Sequence, residues 1–460
     1  MQVYKRHALK RLNNWYKSQG RTPLILLGAR QVGKTTLVNN FASTNKLNYF
    51  YLNLEDPMTR EMFQDTKTVQ NVLDTLYVMF NKKVTPNSLI FFDEIQKAPH
   101  LIELLRFFKE QYPQFAVIVS GSWLNVYLHK YTQSQNFSFP VGRVDFMTLF
   151  PFSFLEYLEN ANPAAYEKLT TTSFTQIIES THLHAVYMQF FRDYMVLGGM
   201  PKVLQTCHLQ PCLEGIHAQR DLLNTILEDV ERYVPHNPLY ATKIINTIFA
   251  NPARAFKKTT LIPNASLKTI NLILHALHKA FLISTVKRTY STSIPLKPAP
   301  KNAAKYLALD IGLALGIKGL TKDLLPLVSN DQAFFRLLED TNKGMLNEQV
   351  VGQLLLSTLY STQYLPNMDN LYYWQNKDSS AEIDFVITQK GRLVGIEVKS
   401  GKAGKLGSLI SFLNKTEDSV GIRVYSGVPK IEDVSHSPRP IISIPFYMVE
   451  LLPQILEEVK

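Results

Sequence analysis

The sequence predicts an α/β protein: a mainly parallel sheet flanked by helices, then a helical stretch with a small strand pair, then a second α/β sheet. Three observations carry this. Apolar runs at 24–27, 47–54, 88–92 and 116–119 alternate with stretches of helical spacing, as parallel strands joined by crossover helices do. Between 160 and 281 the spacing is helical and broken at Gly198-Gly199-Met200-Pro201. Two apolar runs around Gly391-Arg392 then form a hairpin near the end.

The elements follow in order. Residues 4–18 read as a basic amphipathic helix. The run Leu24-Ile25-Leu26-Leu27 leads into Gly28-Ala29-Arg30-Gln31-Val32-Gly33-Lys34-Thr35, and Thr36 continues into helical sequence. Strand, Gly-rich loop and helix in that order make a phosphate-binding P-loop. Gly28 and Gly33 let the backbone curl its N–H groups toward phosphate oxygens, and the helix start adds its positive end. Lys34 is expected to reach the β- and γ-phosphates and Thr35 to hold Mg²⁺. Ser88-Leu89-Ile90-Phe91-Phe92-Asp93-Glu94 is a buried strand ending in two carboxylates. Asp93 is expected to hold the Mg²⁺ through water and Glu94 to polarise the attacking water. A helix over 99–112 and a strand over 116–119 follow. At the end of that strand Ser120 and Ser122 are either sensors of the γ-phosphate or an ordinary turn. Arg143 is a candidate γ-phosphate arginine, in cis or from a neighbouring subunit. ATP and Mg²⁺ are the ligands this set implies.

Composition bounds the rest. The chain has 460 residues, 45% of them hydrophobic and 11% aromatic, enough for two to four globular domains. No run of 18 apolar residues and no apolar leader occurs, so neither a membrane span nor export is expected. Cys207 and Cys212 are the only cysteines, read as free buried thiols of a cytoplasmic protein. The net charge is +11 and unevenly spread. Residues 251–305 hold ten Lys or Arg and no acid, and residues 1–22 hold six and no acid. That asymmetry points to a polyanion, with DNA favoured, RNA and a protein partner left open, and a solvated basic face as the plain alternative.

Residues 253–310 suggest a winged helix. Ser266 caps a helix with the stripe Leu267, Ile270, Leu274, Leu277 and Phe281, a strand runs over 282–286, and a wing over 287–301 returns at Tyr306. Lys268, Lys279, Lys287, Arg288 and Lys297 are the expected DNA contacts, unless the module serves protein packing alone. In the last module a helix carries Glu348, a strand carries Asp384, and its hairpin partner carries Glu397 and Lys399 on one face. This is the order of the PD-(D/E)xK nuclease fold. Glu348, Asp384 and Glu397 are expected to bind Mg²⁺, with Lys399 steadying the phosphate. The alternative is a sheet edge with a salt bridge between Lys399 and a carboxylate.

With these residues in view, the chain resembles a family of prokaryotic AAA-like ATPases. That family joins an archaeal-ATPase-like P-loop domain to a nuclease-like C-terminal domain of unknown function. The matching stretches are 28–36, 89–96, 119–122, Gly142-Arg143, 151–156, 198–201, 310–313, Asn347-Glu348, 382–386 and 397–401. The resemblance implies ATP binding and hydrolysis and leaves the substrate and any oligomer open. The expected domains are 1–200 for the ATPase with a helical lid, 201–325 for the basic region, and 326–460 for the restriction-endonuclease-like unit.

Overall fold

The computed structural model describes residues 4–131, 139–234, 237–299, 303–342, 344–362, 371–401 and 406–459. The chain divides into two compact units, the first centred on the chain up to Phe150 and the second starting at Pro151.

In the first unit five strands form one parallel sheet: β1 (Leu24–Leu27), β2 (Asn48–Asn53), β3 (Ser88–Asp93), β4 (Ala116–Ser120) and β5 (Asp145–Thr148), in the order β2-β3-β4-β1-β5. The strands β1, β3 and β4 are buried along their whole length, as the unbroken apolar runs require. Because β4 lies between β1 and β3, the loops leaving all three open side by side at the carboxyl edge. The N-terminal helix runs Ala8–Lys17 and buries Ala8, Leu12 and Trp15. The arginines on either side of it bind main-chain carbonyls. Arg6 donates to Val32 O at 3.0 Å and Phe150 O at 2.7 Å, and Arg21 to Tyr16 O at 2.8 Å and Gln114 O at 2.6 Å. Half of that basic charge is arginine, which folding uses to bind main-chain carbonyls.

In the second unit nine strands form one sheet: β6 (Ala255–Lys257), β7 (Ile283–Thr289), β8 (Ala303–Ala308), β9 (Tyr372–Gln375), β10 (Glu382–Gln389), β11 (Arg392–Val398), β12 (Ser419–Tyr425), β13 (Lys430–Glu432) and β14 (Ile441–Pro445). Their order is β13-β14-β12-β11-β10-β9-β7-β8-β6. The expected breaks at 200/201 and 325/326 both fall inside this unit. The strand β7 pairs in parallel with β9, Lys287 level with Tyr372, so the basic region and the C-terminal hairpin share one sheet. Residues 151–200, expected with the first domain, pack here too. The Leu155 N–H donates to Glu450 at 2.8 Å, and Phe191 stacks on Phe446 at 5.4 Å. Cys207 and Cys212, expected as free thiols, are joined in a disulfide. They lie five residues apart with Cα atoms 5.6 Å from each other, within bridging reach.

Three of the sequence motifs meet in this unit's core. Gly198 has φ +72°, and a Cβ there would lie 2.2 Å from Asp310 Oδ1. A Cβ on Gly312 would lie 2.5 Å from Leu197 O, and one on Gly199 2.2 Å from Phe152 O. Asp310, fully buried, accepts from Gly199 N at 2.6 Å and Gln353 Nε2 at 3.2 Å and caps the helix Ile311–Lys318 through Leu313 N. Burial pushes its carboxyl up to about 6, against the pull of these donors. The Gly-Gly-Met-Pro stretch is thus a backbone contact as well as a turn. Replacing Gly312 with Ala is expected to destabilise the protein by roughly 1–3 kcal/mol through overpacking. Gly407→Ala, in open space, should stay near zero. Urea unfolding of the two variants checks this.

Candidate functional site

The loop after β1 carries the first site. Gly28 has φ +145°, and a Cβ there would lie 2.3 Å from Leu149 O. Gly33, at φ +97°, caps the helix Lys34–Thr44 in the left-handed region. Gln31 also has positive φ, at 65°. Ala29 and Val32 are buried, Arg30 is half-buried and Thr36 is exposed. The loop therefore presents its backbone around one point, and the N–H groups at the helix start lie beside it. Lys34 is buried and its ammonium donates to Gly28 O at 3.0 Å and Ala29 O at 2.9 Å. Burial lowers its pKa to about 8, while Glu94 and Asp93 act to raise it.

The carboxylates of β3 face this loop. Thr35 Oγ1 donates to Asp93 Oδ2 at 2.6 Å, and Ser120 donates to Asp93 Oδ1. Tyr51 reaches Asp93 Oδ2 at 3.5 Å from the neighbouring strand. A hydroxyl and a carboxylate converging beside a phosphate cradle suit Mg²⁺, which takes few protein oxygens and completes its shell with phosphate and water. Thr35 and Asp93 are the residues that would hold it. Glu94 has left-handed backbone, φ 55°. Its carboxylate accepts from Gln96 Nε2 at 2.5 Å, from Ser122 Oγ at 2.8 Å and from Ser122 N at 3.3 Å. The two serines at the end of β4 are therefore divided: Ser120 serves Asp93 and Ser122 serves Glu94.

Arg143 is a correction. The strand β5 runs parallel to β1 with Asp145 level with Leu24, so a residue just before β5 sits at the amino edge, opposite the P-loop. Its guanidinium pairs with Glu110 at 2.7 Å, near the end of the helix His100–Gln111. Gln96 and Tyr51 also reach these carboxylates and were not singled out by motif reading. Gln96 had a signal, lying two positions past Glu94.

The second set lies in the C-terminal sheet. The register Phe385↔Ile396 sets Asp384 level with Glu397, as the hairpin spacing predicts. Asp384 Oδ2 accepts from Val398 N at 2.8 Å. Glu348, on the helix Met345–Thr362, comes to the same place. The cation among them is not an open position, however. Lys305, from β8, places its Nζ 2.9 Å from Glu348 Oε2, 2.9 Å from Glu382 Oε1 and 3.5 Å from Asp384 Oδ1. Lys399 pairs with Glu397 Oε1 at 2.5 Å, the salt bridge of the plainer alternative. Among the described residues no group of three His, Cys, Asp or Glu side chains could hold a metal ion. The expected Mg²⁺ set of Glu348, Asp384 and Glu397 thus does not fit the ion, because a lysine from another strand fills the space. Burial raises the pKa of Glu348 and of Glu397, and Asp384 beside each raises it further.

In the basic region Ser266 Oγ accepts from Thr269 N at 3.1 Å and caps the helix Leu267–Lys279 as expected. Lys268 and Lys297 are exposed, while Lys279, Lys287 and Arg288 are half-buried. Arg254 and Lys257, not singled out beforehand, are exposed as well. Among the described residues no helix is long and apolar enough to cross a membrane.

Residues 20–158 match the family model described as an AAA domain. Residues 188–324 and 343–447 match two models described as domains of unknown function, DUF8612 and DUF4143. No curated protein sequence matches the chain. Similar solved structures include the Walker-type ATPase Paby2304 of Pyrococcus abyssi, at 15% identity and TM-score 0.42, covering 69% of this chain and 96% of that one. The Aeropyrum pernix Orc1 protein in complex with DNA is another, at 13% identity and TM-score 0.27, covering 70% and 93%. Residues 20–158 thus form an AAA-like P-loop domain, by the family match and by the parallel sheet with the Gly28–Thr36 loop. Arg143→Ala is expected to leave ATP turnover of the isolated monomer within about twofold, since an exposed ion pair at the far edge contributes little. A steady-state assay at low protein concentration checks this.

Proposed function

We propose that this protein hydrolyses ATP at the Gly28–Thr36 loop and acts at DNA through its basic region at 251–305. The observation that carries the first part is the pairing of two carboxylates with separate supports beside one phosphate cradle: Thr35 and Ser120 on Asp93, Gln96 and Ser122 on Glu94. Lys34 and the loop N–H groups bind the phosphates, and Arg30 adds positive charge at the mouth. Thr35 and Asp93 would hold Mg²⁺, which would supply positive charge to the phosphoryl oxygens. Glu94 takes the proton of the attacking water, and Gln96 and Ser122 set the direction of its carboxylate.

The second part rests on charge and order of elements. Helix Pro238–Ala250, β6, helix Lys258–Leu261, helix Leu267–Lys279, β7 and β8 follow the order of a winged helix. Lys268, Arg254, Lys257 and Lys297 are the exposed cations available to phosphates. For the C-terminal sheet a docking role is favoured, because an ammonium already lies among its carboxylates. No cleavage step is proposed.

ATP turnover in Mg²⁺, with and without duplex DNA, tests this reading. Turnover is expected to rise with DNA and to lose that rise with added salt. Indifference to DNA at every salt concentration would replace it with a nucleotide switch acting on a protein partner. Lys34→Ala should abolish nucleotide binding. Glu94→Gln should keep binding and lose about 10²-fold or more in turnover, the usual scale for a general base. A fully active Glu94→Gln protein would sink the base assignment.

A further inference from the structure

Lys305 closes an ion cluster that none of its neighbours could close alone. Its side chain is 5% exposed, and its three N–H bonds are matched by three carboxylates, from Glu348, Glu382 and Asp384. The lysine is fixed by its backbone. Its strand is paired on both sides, with Ala255 level on β6 and Val286 on β7. Tyr373 covers the ammonium with its ring centroid 5.3 Å away. Two further oxygens are committed: Asp384 Oδ2 to Val398 N and Glu397 Oε1 to Lys399. Glu397 Oε2 is buried without a hydrogen-bond partner.

A divalent ion between Glu348 and Asp384 would need oxygens at about 2.0–2.6 Å around it. The ammonium lies where such an ion would sit, at 2.9 and 3.5 Å from those same two carboxylates. Burial alone would lower the pKa of Lys305. Glu348, Asp384 and Glu382 surround the ammonium and favour its charged form.

We propose that Lys305 is the resident cation of this centre: it takes the place of a divalent metal, makes the C-terminal sheet a metal-independent module, and keeps a latent metal site closed. The inference deepens the docking reading of that sheet and is independent of ATP hydrolysis. It implies that shortening Lys305 opens a site for a hard divalent ion.

Mn²⁺ binding to the full chain without nucleotide, counted by electron paramagnetic resonance, tests it. Wild type and Asp384→Asn are expected to bind equally, any P-loop binding being common to both. Lys305→Ala should take up a further ion per chain, and Lys305→Ala/Asp384→Asn should lose it. A wild-type ion that Asp384→Asn removes would overturn the proposal. So would a folded Lys305→Ala chain that binds no more Mn²⁺ than wild type. If Lys305→Ala does not fold, the comparison of wild type with Asp384→Asn still decides. Plasmid cleavage that Asp384→Asn abolishes would sink the docking reading separately, whether or not Mn²⁺ binding differs.

Discussion

A charge buried away from water must be paired, and the second unit is arranged around one such charge. The ammonium of Lys305 would cost several kcal/mol if left alone in the interior. Its partners come from two elements: Glu348 from the helix Met345–Thr362, and Glu382 and Asp384 from the start of β10. One side chain thereby fixes where β8 lies against that helix and hairpin. The parallel pairing of β7 with β9 then extends the sheet without a break. A region that charge alone would assign to a separate basic module is part of the same core.

Backbone proximity does a similar job nearby. Gly198, Gly199 and Gly312 bring chain segments closer than any side chain permits, and Asp310 satisfies the N–H groups this exposes. Its buried carboxyl is tolerated because backbone donors and Gln353 surround it. The two devices lie on one strand and the turn after it, since Lys305 belongs to β8 and Asp310 follows it by two residues.

In the first unit the order of strands does the equivalent work. Inserting β4 between β1 and β3 brings Ser120 to Asp93 and Ser122 to Glu94. Asp93 and Glu94 are neighbours in sequence, yet they have different partners. The left-handed backbone at Glu94 turns its side chain toward Ser122 and Gln96 while Asp93 faces Thr35. That division leaves one carboxylate beside Thr35 and holds the other apart from it on Ser122 and Gln96.

The P-loop, the Asp93-Glu94 strand, the parallel sheet and the Asp384–Glu397 hairpin were all legible in the sequence. Each depends on local spacing: apolar runs mark strands, glycines mark the loop, and alternation sets which side chains share a face. Arg143 was misread because its meaning depends on which strand end lies nearby. The role of Lys305 was hidden in an acid-free stretch, 43 residues from Glu348 and 79 from Asp384. By itself the sequence determined the elements and the residue types available for phosphate and carboxylate chemistry. Only the tertiary structure decided which charges meet, because a buried cation is defined by partners that pairing across the sheet brings from far along the chain.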